Sequence, residues 1–409
     1  MLANESPCRQ IGYLEQCLSS SKRPIGIFLG AGCPMSIRFN SDSEKNEKPL
    51  IPDIAGVTLA VQIEMQKNSE FSPLYEIIKN HFTEDNRSNI NIEQILSHIR
   101  ALKSVAGKGS VRGLNAVELD SLDKKICQII HGLVNKELTG FQTPYHNLAR
   151  WATGILRTQP IEIFTTNYDL LMEQALEDCR APYFDGFVGT RNPYFDAQSI
   201  EDDTLLPRQW TRFWKLHGSI NWHQSIDGGV YRGTSEQVSS NLVIYPSHLK
   251  YEESRRMPYL ALIDRLKLFM KKPTAVLVTV GYSFGDEHLN EVIIQGLEHS
   301  QTAITFALLF NETKCHVEAT NLALKHTNLI LLARDCAIVS GRILKWPETN
   351  VELLNNDMES WVKLSPIDPS IIGSKQFAEF LLGDFVVFGK FILKLIGNLN
   401  QTVETPNAK

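Results

Sequence analysis

The chain has 409 residues, 43% of them hydrophobic, and a formal net charge of -5. This is enough for one large domain with insertions or for two to three smaller ones, and the apolar share excludes global disorder. No half of the chain is basic enough to make direct nucleic-acid binding an expectation.

Residues 8 to 20 read as a short helix with Ile11, Leu14 and Leu18 on one side. Pro24 then opens an apolar strand, Ile25 to Leu29, that runs into Gly30-Ala31-Gly32-Cys33-Pro34. A strand ending in Gly-x-Gly is either the first turn of a nucleotide-binding βα unit or a plain tight turn. In the first case, backbone N–H groups and a helix N-terminus receive a diphosphate. The third glycine of G-x-G-x-x-G is missing. The polar run Ser41 to Lys48 predicts a loop leading to Ile51-Pro52-Asp53. Asp53 either sits in a loop over the pocket or caps a helix starting near Val57.

From about 57 to 140 the pattern is helical, with Leu59–Met65, Leu74–His81, Ile92–Leu102 and Leu119–Leu133 as segments, and predicts an insert between the first two sheet strands. Its histidines His81, His98 and His131 lack metal-ligand spacing. Thr143-Pro144 starts a further helix. After Pro160, Ile161 to Phe164 forms a strand, and Leu170, Leu171, Ala175 and Leu176 mark a helix. Between them lies Thr165-Thr166-Asn167-Tyr168-Asp169. Asn167 and Asp169 either make the turn and cap the helix, or offer short polar arms at the carboxyl end of a strand.

Phe213 to Leu216 is a strand that meets His217-Gly218, where an imidazole either faces a ligand or is a hydrogen-bonded turn residue. Val230 to Arg232 predicts a hairpin strand after Asp227-Gly228-Gly229, and Leu242 to Tyr245 another strand. A helix over Leu260–Met270 precedes the apolar strand Ala275–Val280, of the kind buried on both faces. It delivers Gly281-Tyr282-Ser283-Phe284-Gly285-Asp286, a second strand–Gly–helix junction with its helix expected over Glu291–Leu297. Ser283 is available to a ribose or phosphate. Ala303–Phe310 and Leu329–Leu332 supply further strands. Trp346 to about Pro369 reads as irregular. Phe377 to Leu399 reads as an apolar helix for another subunit or partner, with a membrane-surface helix as the alternative, and Gln401 to Lys409 as a tail. The expected fold is α/β, a Rossmann-like parallel sheet with helices on both faces, a helical insert and a C-terminal helical extension.

The seven cysteines form no C-x-x-C pair, so neither a zinc site nor a disulfide framework is expected and reduced cytosolic thiols are the simplest reading. The opening MLANESPCRQ lacks the order of a signal peptide. No uncharged apolar run reaches the roughly 18 residues of a membrane span. The expectation is a cytoplasmic protein.

Taken in order, the junctions resemble the sirtuin (silent information regulator) family. Gly30-Ala31-Gly32 resembles its first phosphate-binding turn, and Ile51-Pro52-Asp53 the start of its cofactor loop. Thr166-Asn167-Tyr168-Asp169 is similar to its Thr-Gln-Asn-Ile-Asp signature, His217-Gly218 to its catalytic His-Gly, and Gly281-Tyr282-Ser283-Phe284 to its Gly-Thr-Ser-Leu segment. Pro144, His146 and Leu148 match the helix before the Asn motif. Two departures stand out. The Phe-Arg that follows Ile-Pro-Asp in family deacylases is replaced by Ile54-Ala55, and their four-cysteine zinc module has no counterpart. Thr-Asn-Tyr-Asp and Gly-Tyr-Ser-Phe-x-Asp are similar to the bacterial anti-phage branch. Its members destroy NAD, often in large assemblies and sometimes beside a HerA-type hexameric ATPase.

The resemblance implies a sirtuin-like NAD-binding domain over 1–345 and a C-terminal extension over 346–409 that contacts an oligomer mate or partner. It implies an NAD+ hydrolase releasing nicotinamide and ADP-ribose, with NAD as substrate and no zinc. Asn167 would hold ribose hydroxyls or water, and His217 would take a proton. Asp169 would orient Asn167 or cap its helix, and Asp53 would reach toward the carboxamide. Gly30, Ala31, Gly32, Cys33, Thr166, Gly281, Ser283 and Phe284 would line the rest of the cofactor site. The alternatives are an NAD-dependent protein deacylase and a non-enzymatic NAD or ADP-ribose sensor.

Overall fold

The structure, a computed structural model, describes residues 6–39, 48–87, 90–224, 229–233, 242–244, 258–346, 348–349, 358, 360–366 and 376–397. The loop expected over 41–48, the turn at 227–228, the end of the strand at Tyr245 and the tail over 401–409 fall wholly or partly outside these residues.

Helix α1 (Pro7–Leu18) buries Ile11, Leu14 and Leu18, the side their spacing selects, and leads into β1 (Ile25–Leu29). A one-turn helix α2 (Gly32–Ser36) follows at once. Four helices then fill the space before the second sheet strand: α3 (Ile54–Lys67), α4 (Phe71–Glu84), α5 (Ile92–Ala106) and α6 (Ala116–Val134). Helices α5 and α6 both begin with a capping box, Asn91 with Gln94 and Asn115 with Glu118, which satisfies N–H groups no helix can pair internally. Helices α3, α4 and α5 all pack on α6. Helix α7 (Pro144–Gly154) starts on a proline, whose missing N–H costs nothing at that position.

Then come β2 (Ile161–Thr165), α8 (Leu171–Asp178), the short β3 (Tyr183–Phe184) and β4 (Thr211–Lys215). Strand β5 (Gly218–Gln224) pairs antiparallel with β6 (Val230–Arg232) in a smaller sheet, as the hairpin reading expects. The second half runs α9 (Tyr259–Lys271), β7 (Val276–Val280), α10 (Glu287–His299), β8 (Ile304–Leu308), α11 (Val317–Lys325), β9 (Leu329–Leu332), β10 (Cys336–Val339) and β11 (Arg342–Lys345).

Among the described residues the main sheet has the order β11-β10-β9-β8-β7-β1-β2-β4-β3. Its pairs are parallel from β9 to β3 and antiparallel only at β9–β10 and β10–β11. Counted in chain order, the six central strands run 3-2-1-4-5-6, the doubly wound nucleotide-binding order. Alternate residues of each strand feed opposite cores. Ile25, Ile27 and Leu29 of β1 and Val276, Val278 and Val280 of β7 face the core shared with α1, α7 and α8. Phe28 and Leu277 face the core built with α9, α10 and α11. The fold is therefore α/β, Rossmann-like, with helices on both faces.

Two expectations fail in the last part of the chain. The stretch read as irregular contains strand β12 (Val362–Pro366), paired antiparallel with β13 (Gln376–Phe380). The apolar run from Phe377 is thus divided between strand β13 and helix α12 (Phe385–Lys394). The break has a local cause. Gly383 lies so close to the Leu309 carbonyl that no Cβ fits, and Asp384 caps the helix by accepting from Val386 N–H at 2.7 Å. The apolar side of α12, offered to a partner in the sequence reading, is covered within the chain by α7. The Phe385 and Tyr145 rings meet at 4.9 Å, and Gly389 abuts Pro144.

Candidate functional site

The strand order reverses between β1 and β7, and at such a switch point a crevice opens beyond the carboxyl ends of the strands. Four strands end there. Strand β1 delivers Gly30, β2 delivers Thr166-Asn167, β4 delivers Leu216-His217 and β7 delivers Gly281.

These turns are tied to one another. Gly30 N–H donates to the Val280 carbonyl at 3.0 Å, and Gly32 N–H to the Gly281 carbonyl at 2.9 Å. A Cβ on Gly281, where φ is +65°, would lie 2.6 Å from Cys33 N, so only glycine permits this approach. Asn167 Nδ2 donates to the Gly30 carbonyl at 3.0 Å. A carbonyl can only accept, so the amide nitrogen must face it, and Asn167 Oδ1 is left as an acceptor for another donor. Tyr168 C=O accepts from Ile220 N–H at 3.0 Å and from Ser219 Oγ at 3.4 Å, which draws β5 onto the Asn167 turn. His217 closes the ring of contacts through Asp286, with Nε2 3.1 Å from Oδ2.

Asp286 has two tasks. Its Oδ1 accepts from the N–H groups of His288 and Leu289, at 3.1 and 3.3 Å, and so caps α10. Its Oδ2 fixes the imidazole of His217. A carboxylate there selects the tautomer with the proton on Nε2, and Nδ1 then carries the lone pair that can take a proton. Side-chain exposures of 14% for His217 and 11% for Asp286 keep the pair largely shielded while leaving the imidazole within reach of the crevice.

Tyr168 lies beside this dyad. Its ring centroid is 6.5 Å from that of His217, and its hydroxyl is 3.4 Å from Glu93 Oε1 on the first turn of α5. The helical insert therefore brings a carboxylate next to the Asn167 turn. Burial, with Glu93, Tyr259 and Asp286 adding to it, pushes the Tyr168 phenol well above its ordinary value, so it remains a neutral donor.

The other sequence-derived candidates divide into two groups. Ala31 is exposed at the N-cap of α2, and Ser283 is exposed on the β7–α10 turn, so both face outward at the crevice rim. Thr166, half-buried, donates its N–H to the Leu29 carbonyl at 3.4 Å. Cys33 is fully buried, its thiol on the Val280 carbonyl, and burial raises its pKa well above the usual thiol value. Phe284 also turns inward. It is 1% exposed, and its ring lies 4.8 Å from that of Tyr282. Its φ of +59° is a strained conformation for an aromatic residue, held by Asn290 Nδ2 on its carbonyl at 2.7 Å. Asp53 is exposed and engaged as the N-cap of α3, accepting from Gly56 N–H at 2.8 Å. Asp169 is buried, accepts from Leu171 N–H at 3.0 Å and closes the turn into α8. Burial raises its pKa, with Lys215 opposing.

The backbone donors of the Gly30 turn are mostly engaged. Gly30 donates to β7, Gly32 to Gly281 just beyond it and Cys33 within the turn, which leaves the Ala31 N–H among the described residues. A diphosphate there would therefore meet Ala31 N–H and the exposed Ser283 hydroxyl, a thinner cradle than Gly-x-Gly alone implies. Among the described residues no three His, Cys, Asp or Glu side chains gather as a metal site, and no helix is long and apolar enough to cross a membrane.

Residues 161–332, from the first residue of β2 to the last of β9, match the family model described as the SIR2-like domain. Over these residues the chain is similar to a SIR2-like domain. The match takes in Asn167, His217 and Asp286, while Gly30, Gly32 and the helices that supply Glu93 lie before it. Among solved structures, one described as "Structural Basis for the Mechanism and Regulation of Sir2 Enzymes" is 13% identical, with 74% of this chain and 86% of that chain covered and a TM-score of 0.32. No curated protein matches the chain.

Proposed function

We propose that the SIR2-like domain hydrolyses NAD+ at the nicotinamide–ribose bond, giving nicotinamide and ADP-ribose. The observation that carries this reading is the His217–Asp286 dyad on the same linked turns as the Asn167 amide. Nicotinamide leaves as a neutral molecule, so no general acid is required. The site must hold the ribose, favour positive charge at its anomeric carbon and deliver a water. Asn167 Oδ1 accepts from a ribose hydroxyl or from that water. His217 Nδ1 takes the proton, and Asp286 steadies the imidazolium that results. The carboxylates of Asp286 and Glu93 favour the cationic end of the substrate. Ala31 N–H and Ser283 serve the diphosphate end.

Within this reading the protein acts in anti-phage defence by depleting NAD, as a homo-oligomer and with a hexameric HerA-type ATPase as candidate partner. The support is the similarity of Thr166-Asn167-Tyr168-Asp169 and Gly281-Tyr282-Ser283-Phe284-Gly285-Asp286 to that branch. Incubation with NAD, with and without lysate of phage-infected cells, is followed by chromatography for nicotinamide and ADP-ribose. Equimolar release of the two supports hydrolysis. Nicotinamide release only with an acylated peptide would make the protein a deacylase, and tight NAD binding without turnover in either condition would make it a sensor.

A further inference from the structure

Lys215, the last residue of β4, is 1% exposed. Its Nζ donates to the Asp169 carbonyl and to Glu173 Oε1, the latter at 2.7 Å. Glu173 is itself 8% exposed, and its second oxygen has no hydrogen-bond partner. The Tyr145 hydroxyl nearby is likewise buried and unpartnered.

A buried ion pair is a poor stabiliser, because removing both charges from water costs about as much as their attraction returns. Apolar side chains of the same volume would hold this core equally well. They could not donate to the Asp169 carbonyl. That carbonyl lies two residues after Asn167, and Lys215 lies two residues before His217. One ammonium therefore spans the β2–α8 turn and the end of β4, the two segments whose separation sets the distance from the amide to the imidazole.

We propose that Lys215, held by Glu173, is a positioning residue that sets the spacing between Asn167 and His217. It touches no substrate and acts through the Asp169 carbonyl. The inference rests on the NAD-hydrolysis reading for its kinetic consequence but not for its structural one. Misplacement of reacting groups by about 1 Å costs roughly 100-fold in rate.

Lys215→Met alone leaves Glu173 buried without its partner and is expected to fold poorly. The informative protein is the full chain carrying both Lys215→Met and Glu173→Met, which removes both charges and keeps the volume. It is expected to fold, to lose about 100-fold in kcat with KM nearly unchanged, and to exchange the amides of residues 166–171 about tenfold faster while β7 and β8 keep their protection. Wild-type kcat in the double variant, or unaltered exchange over 166–171, would overturn the positioning role. If the wild-type protein cleaves no NAD in any condition, the functional reading fails, and the exchange measurement alone decides the structural claim.

Discussion

Asp286 accepts from His217 with one carboxylate oxygen and caps α10 with the other, so the same side chain orients the imidazole and anchors the helix beside it. Asp286→Asn separates the two tasks. The amide oxygen can still cap, but the NH2 group then faces Nε2 and reverses the tautomer, placing the proton on Nδ1 where the base is needed. The expected result is a folded protein with kcat for NAD hydrolysis lowered by about 10²- to 10⁴-fold. A kcat within about twofold of wild type would remove Asp286 from the account.

Gly30→Ala tests the junction of β1 and β7. The added Cβ would press into the Gly281 carbonyl, and backbone on both sides leaves no flexible group to yield. The expected cost is about 3 kcal/mol or more of unfolding free energy in urea titration, together with loss of NAD binding. A midpoint unchanged from wild type would show that the turns do not pack as described.

The pH dependence of stability tests the environment of Glu173. Burial pushes its carboxyl up to about 7, with Lys215 opposing. A carboxyl raised above its unfolded value favours folding while protonated, and that contribution is lost as pH rises through the folded value. Stability is expected to fall between pH 4.5 and about 7, by roughly 3 kcal/mol from this group. Glu173→Gln has no carboxyl to ionise and is expected to lack this decline. Parallel stability curves for the two proteins from pH 4.5 to 8, by thermal melting, would contradict the assignment.

Phe388→Ala tests whether α12 belongs to the core of its own chain. Phe388 is fully buried in the cluster that includes Tyr145 and Trp151 of α7. Truncation is expected to destabilise by about 3–5 kcal/mol. An unchanged unfolding midpoint would return the helix to a surface role.

Much of the sheet was legible because its signal is local. β1 and β7 are short apolar runs that end at glycine, β2 ends at short polar residues, β4 runs into His217-Gly218, and the helices of the insert carry an apolar stripe at helical spacing. The β10–β11 hairpin had a signal that went unused. Ser340-Gly341 takes positive φ at both positions between two short paired strands, the geometry of a tight two-residue hairpin turn. Composition dominated at the C-terminus, where a long apolar run read as a single helix hid the Gly383-Asp384 break.

The site was legible residue by residue but not as pairs. Asn167 and His217 lie at strand ends, which is where the pattern directs attention. The partners that give them chemistry come from afar in sequence. Asp286 meets His217 across 69 positions, and Glu93 meets Tyr168 across 75. Asp286 left a local trace as a helix cap, since the helix begins at Glu287 rather than at the expected Glu291. Glu93 and Lys215 left none, because each looks like an ordinary helix or strand residue until the turns are brought together.

The most direct test of the central claim is NAD turnover by wild type, Asn167→Ala and His217→Ala. Each is assayed by chromatography with and without lysate of phage-infected cells, and circular dichroism serves as the check on folding. The wild type is expected to convert NAD to nicotinamide and ADP-ribose, and both variants to remain folded and leave NAD intact. Hydrolysis by both variants at the wild-type rate would contradict the account.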